Sequence, residues 1–186
     1  MKLSYIYIGL AFCLVFASCE NDLKDVERVS AKKISVPVDV SYGVTVIYSD
    51  SAKVKARMTA KELHHYKAVT NPYYEMPKGV TIIFYDENQQ ESSRVVSDYA
   101  VRRENEKQVE LRKNVVVTNV KGDVFKSEEL IWDEGKQRFY SNQLVNIVKP
   151  DGTNIFGSGF RSDQNFNNPE IDRAYGDFAT GNRFSY

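Results

Sequence analysis

VELRKNVVVTNVKGDVFKSEELIWDEG, residues Val109–Gly135, decides the fold class. Val109 and Leu111 open a run that alternates apolar with polar and continues as Val115-Val116-Val117. Lys121-Gly122-Asp123 then breaks it. Phe125 and Leu130-Ile131-Trp132 form a second run, and Asp133-Glu134-Gly135 breaks that one. A period of two residues is the signature of a strand with one buried face. Clusters of Asp, Asn and Gly are turn chemistry, because these residues tolerate positive φ or cap a tight reversal. The stretch therefore reads as strand, turn, strand, turn.

The same pattern extends outward on both sides. Val80-Thr81-Ile82-Ile83-Phe84-Tyr85 is a strand, Asp86-Glu87-Asn88 turns it, and Val95 to Val101 returns. Downstream, Phe139-Tyr140 and Leu144 to Val148 lead to the Pro150-Asp151-Gly152 turn, then to Ile155-Phe156 and Phe160. Upstream, Ile34, Val36, Val38 and Val40 share one parity. Val44, Val46 and Tyr48 form a hairpin with Val54, Ala56 and Met58 around Ser49-Asp50-Ser51. Lys61 to Lys67 and the tyrosines around Pro72 read as an extended, irregular link.

The turns at Asn88, Gly122 and Gly152 lie about thirty residues apart, within the range of structural repeats. Each is followed by a small residue leading to an apolar one: Ser97-Asp98-Tyr99-Ala100, Ser127-Glu128-Glu129-Leu130 and Gly157-Ser158-Gly159-Phe160. Hairpin units of this length bury their faces only by pairing with neighbours, as a stack or rolled meander with two exposed ends. An exposed edge strand accepts another chain by β-augmentation. The segment after Asp163 reads as loosely ordered from Ile171 to Tyr186.

The N-terminus gives an address. Lys2 precedes the apolar run Ile6 to Ala17, which has the length of a signal-peptide core and is too short to span a bilayer. Phe16-Ala17-Ser18-Cys19 closes it and resembles the lipobox of bacterial lipoproteins, which makes Cys19 the lipidated residue. An ordinary secretory cut after Ser18, with Cys19 incidental, is the alternative. Cys13 leaves with the signal, so the mature chain holds no disulfide and no Cys-based metal site. The expected organisation is a signal peptide at 1–18, a polar tether at 19–33 from Cys19, a β domain at 34–165 and a C-terminal tail at 166–186. Formal net charge is zero, which argues against a nucleic-acid partner. Hydrophobic content of 42% with 22 Tyr and Phe residues excludes a disordered chain and suits a β-rich one.

The ordered series of units resembles the OstA/LptC family. Asn114-Val115-Val116-Val117, Lys126 to Asp133, Tyr140-Ser141-Asn142, Val145-Asn146-Ile147, Asp151-Gly152 and Gly157-Ser158-Gly159-Phe160 carry the resemblance. Val46 to Ser51 and Pro72 to Val80 add to it, so that it covers residues 34–163. It is closest to the LptC-type lipopolysaccharide-export component in a lipoprotein form. The resemblance implies an all-β fold: a twisted, open, antiparallel β jelly roll built of hairpin repeats, with an apolar groove between its sheets. It also implies a membrane-anchored periplasmic carrier of lipopolysaccharide. The cargo would come from an inner-membrane lipopolysaccharide ABC transporter and pass to a periplasmic bridge protein of OstA/LptA type, with units joined through edge strands. The lipid anchor departs from the family's usual transmembrane helix, and the inner membrane is the expected site. No cofactor is expected.

Strand parity nominates Val80, Ile82, Phe84, Leu111, Val115, Val117, Leu130, Trp132, Val145, Ile147, Ile155 and Phe160 for the groove, with ordinary core packing as the competing reading of each. His64-His65 read as surface residues, because adjacent strand residues point to opposite faces and suit neither a metal nor a catalytic pair. Asp133-Glu134 and Glu128-Glu129 read as solvated turn acids. Arg102-Arg103 and Arg112-Lys113 read as solvated faces that would otherwise meet phosphates. No nucleophile elbow, P-loop or dinucleotide fingerprint is present, so no catalytic residue is expected. The rival function is a structural or assembly lipoprotein that binds protein through its sheet edges and has a filled interior.

Overall fold

The computed structural model describes residues 37–177. The signal segment, Cys19, the tether and residues Ile34 and Val36 lie outside the described residues, as does the chain after Asp177. Twelve antiparallel strands form one hydrogen-bonded sheet. They are β1 (Asp39–Asp50), β2 (Lys53–Tyr66), β3 (Tyr73–Met76), β4 (Val80–Tyr85), β5 (Glu91–Ser97) and β6 (Tyr99–Arg103), followed by β7 (Gln108–Asn119), β8 (Val124–Asp133), β9 (Arg138–Ser141), β10 (Val145–Val148), β11 (Asn154–Asp163) and β12 (Glu170–Asp177). The fold is all-β and of jelly-roll type, as expected.

The sheet folds back on itself because its long strands change partners midway. The first part of β2 pairs with β4 and its last part with β3. Strand β7 pairs with β6 over Gln108–Arg112 and with β5 over Val116–Asn119. Strand β8 gives its first half to β10 and its second to β9, and β11 divides the same way. One arm of the folded sheet therefore carries β4, β5 and β10, and the other carries β3, β6 and β9.

A single crease joins the arms, and its chemistry is local. In β7, Lys113 and Asn114 both have positive φ (64° and 50°), and the register slips by one residue against β8. Such a bulge bends a strand and raises its twist. The Asp98 amide donates to the Lys113 carbonyl at 3.1 Å, and Asn114 Nδ2 donates to Asp98 Oδ2 at 2.6 Å. Ser97 Oγ donates to the Tyr99 carbonyl, and Ser127 Oγ donates to the Leu144 carbonyl. The three small-residue motifs spaced thirty apart all sit on this crease. The repeat is thus the place where each strand passes from one arm to the other.

Side chains from both arms meet in one apolar core. Phe84 and Phe139, from opposite arms, pack edge to face at 5.4 Å, and Phe125 meets Phe160 at 4.4 Å. Two segments differ from the sequence reading. Lys61 to Tyr66 continues β2 as regular strand and pairs with both β1 and β3. The expected tail at 166–186 begins with Phe166, which is buried among Phe125, Phe139 and Phe160, and continues into β12 on β11. Polar composition concealed both, because a neighbouring strand supplies the hydrogen bonds that the local sequence does not announce.

Candidate functional site

Eleven of the twelve nominated groove residues are buried in the core between the arms. Ile155 is half-buried against the same core. In β8 the alternation changes parity at the crease, with Phe125 and Ser127 facing inward before it and Leu130 and Trp132 after it, whereas β7 keeps its parity from Leu111 to Val115 and Val117.

The interior is not one continuous channel. Between the arms, the rings of Phe84, Phe139 and Phe166 pack in succession, Phe84 edge-on to Phe139, with centroids 5.4 Å and 4.7 Å apart. A slot lies at either end of this filled region. The first, about 310 Å³, opens beside β1 and is lined by Val46, Tyr48, Met58, Leu63, Ile82, Val109 and Trp132. Its volume stands at the lower end of the roughly 300–1,000 Å³ typical of small-molecule sites. The second, about 330 Å³, lies by the β11–β12 connection and mixes Val117, Phe125, Ile147 and Ile155 with Lys121, Asp123 and Lys149. Of the nominated residues, Ile82 and Trp132 line the first slot and Val117, Ile147 and Ile155 the second. Phe84, Leu111, Val115, Leu130 and Val145 line neither. Val80 borders a surface cleft along Gly43–Thr45, and Phe160 borders a shallow one near Arg138.

The connection after β11 ties the arms together. Ser93 Oγ donates to the Gln164 carbonyl at 2.9 Å, and Ser92 Oγ to Asn165 Oδ1 at 2.7 Å. Asn119 Nδ2 donates to the Phe166 carbonyl, and Phe166 itself takes φ 53° so that its ring turns inward.

The first slot has a charged rim. Arg102 Nε and Nη2 donate to the two carboxylate oxygens of Glu134 at 2.7 Å and 2.9 Å, a bidentate pair. The hydrogen bonds that it donates to Glu134 hold the Arg102 guanidinium above its ordinary pKa, against the opposing effect of burial. The Arg102 guanidinium also lies 6.0 Å from the Tyr74 ring. This corrects the reading of Arg102 and of Asp133-Glu134 as solvated charges: Glu134 and Asp133 are buried. Asp133 accepts from the Lys136 amide at 2.9 Å and from its Nζ at 2.8 Å.

His64 and His65 do point to opposite faces, and neither is freely exposed. His64 Nε2 lies 2.6 Å from Glu62, and His65 Nε2 lies 2.7 Å from Glu104 while its ring stacks on Tyr74 at 4.0 Å. On the outer face, Tyr66 and Tyr99 both donate to Glu75. Burial, reinforced by that carboxylate, pushes the Tyr99 phenol up to about 12. Sequence reasoning missed Tyr48, Met58, Leu63, Tyr74 and Phe166 as interior residues. The parity of Tyr48 with Val44 and Val46 was the available signal.

The two ends of the sheet carry its unpaired edges. Among the described residues, strand β1 pairs only with β2, and β12 only with β11. Strand β1 is exposed along most of its twelve residues and presents Val40, Tyr42, Val46 and Ile47 to solvent. No curated protein matches the chain. The family described as lipopolysaccharide-assembly, LptC-related, matches it over residues 4–168.

Proposed function

The chain belongs to the LptC-related lipopolysaccharide-assembly family, so its role lies in lipopolysaccharide transport, and we propose that it acts as a lipid-anchored carrier on the periplasmic side of the inner membrane. In this reading Cys19 carries the acyl anchor, residues 19–33 form the tether and the β domain holds acyl chains between its arms. The cargo arrives from the inner-membrane ABC transporter and leaves to a periplasmic bridge of OstA/LptA type. The edges of β1 and β12 join the chain to those neighbours. The protein performs no chemistry on its cargo, and the energy is spent by the transporter.

The observation that carries this reading is the apolar slot of about 310 Å³ that opens beside β1. Acyl chains in water cost about 0.8 kcal/mol per exposed CH₂, so a carrier must cover them. The nominated groove residues deeper in the interior serve that cover once the arms separate. A photo-crosslinking amino acid at Met58, in the slot, is expected to trap lipopolysaccharide in cells. The same group at Val96, exposed outside the slot, is expected not to. Trapping at Val96 alone would dismiss the carrier mechanism.

The filled middle of the interior favours a second reading, an assembly lipoprotein that binds protein partners through its edges and holds no lipid. Crosslinking from Tyr42 on β1 to protein, with none from Met58 to lipid, would favour it.

A further inference from the structure

Resting on the carrier reading, we infer that the slot beside β1 takes an acyl chain bearing an oxygen acceptor near its head end, a hydroxyl or an ester carbonyl, and that the Trp132 indole N–H selects it. Trp132 lines the slot, is only 4% exposed, and its Nε1 has no hydrogen-bond partner among the described residues. Its ring neighbours are Tyr48, Phe84 and Phe139, at 5.8, 4.8 and 6.3 Å. A buried indole N–H normally finds an acceptor, and an unpaired one destabilises the empty protein. Beside the apolar area that it shares in kind with Phe84 and Phe139, the indole carries a polar donor. The donor is what tryptophan adds.

The surroundings define the rest of the ligand. Met58, Leu63, Ile82 and Val109 give an apolar bed for a hydrocarbon chain. Trp132 lines the same slot as Arg102 and Glu134, which hold each other at its rim. Because that guanidinium already has its carboxylate, the rim suits a polar head without demanding a bare anion. The Tyr48 ring on β1 packs edge-on against the indole, with centroids 5.8 Å apart.

The test uses the full chain held in amphipol, with tetradecanoate, 2-hydroxytetradecanoate and 3-hydroxytetradecanoate competing against a naphthylamine probe. All three share the chain and the carboxylate, so any difference reads the hydroxyl. At least one hydroxy acid is expected to bind about two- to tenfold tighter than tetradecanoate, the worth of one net hydrogen bond. Trp132→Phe is expected to bring that ratio to one. Trp132 is the chain's only tryptophan, so the wild-type emission spectrum gives a second reading without a variant: the preferred hydroxy acid shifts it differently from tetradecanoate. Equal affinities with identical spectra, or a preference that survives Trp132→Phe, overturn the inference and leave the carrier reading standing. Failure of all three acids to bind removes both.

Discussion

Asp133 illustrates how residue-scale chemistry escapes a sequence. Its run, Asp133-Glu134-Gly135, is a turn, and turn acids are ordinarily solvated. Here the carboxylate is buried, and the hydrogen bonds from the Lys136 ammonium and amide hold its pKa below the usual aspartate range. A carboxyl whose folded pKa is depressed stabilises the fold above its unfolded value, about 3.9, and loses that contribution as pH falls through the lower folded value. Asp133→Asn is therefore expected to lower the urea-unfolding free energy by about 1 kcal/mol at pH 7. The gap to wild type should close as pH drops below about 4. A gap that stays constant down to pH 2 would mean the charge contributes nothing. The turn itself was legible from residue types. The burial of its acids was not, because it depends on Arg102 and Lys107 arriving from a different hairpin.

At the scale of elements, most strands announced themselves through alternation, and the crease announced itself as a repeat whose meaning the sequence did not contain. Ser97-Asp98, Ser127-Glu128 and Gly157-Ser158 look like loose internal similarity. In the fold they are successive crossings of one line. Strand β11 shows why small residues stand there. Gly159 has φ +69°, and a Cβ on it would overlap the Asp172 carboxylate on β12. Gly157 is likewise closed against Ile171. Gly159→Val is expected to cost about 1–3 kcal/mol from backbone strain. It should also release β12: amide exchange over Glu170–Asp177 speeds up, while Ile82 and Leu130 remain protected. Uniform exchange across all strands would mean that β12 is not a separable element. Strand β12 itself was not legible, since its eight residues carry little alternation and its pairing comes wholly from β11.

At the scale of the whole molecule, the fold arranges a slot, a filled aromatic middle and a second slot between two arms tied by the Phe166 connection. In the proposed carrier reading, lipid would be held at the ends of the fold or in an opened middle, and both would call for the domain to stand near a membrane source. The anchor proposed at Cys19, outside the described residues, would meet that demand. Cys19→Ala carried on a foreign inner-membrane anchor is expected to restore lipopolysaccharide delivery to the cell surface, whereas Cys19→Ala alone is expected to lose it. A folded, membrane-bound swap that fails to restore delivery would mean that the native lipid does more than tether.

By itself, the sequence determined the all-β class and most of the strands and their turns, because period-two alternation and Asx/Gly turn chemistry are local properties. Tertiary structure alone decided how those strands close around their interior. Parity changes at the crease in β8 and β11 but not in β7, so the inward set of one half-strand does not by itself fix that of the next. Phe166 enters the core from a segment without strand pattern, and Trp132 ends beside an apolar slot with its N–H unpaired only because Tyr48, Phe84 and Phe139 converge on it from other strands. Contacts between residues tens of positions apart are set by strand pairing across the crease, and no window of sequence carries that information.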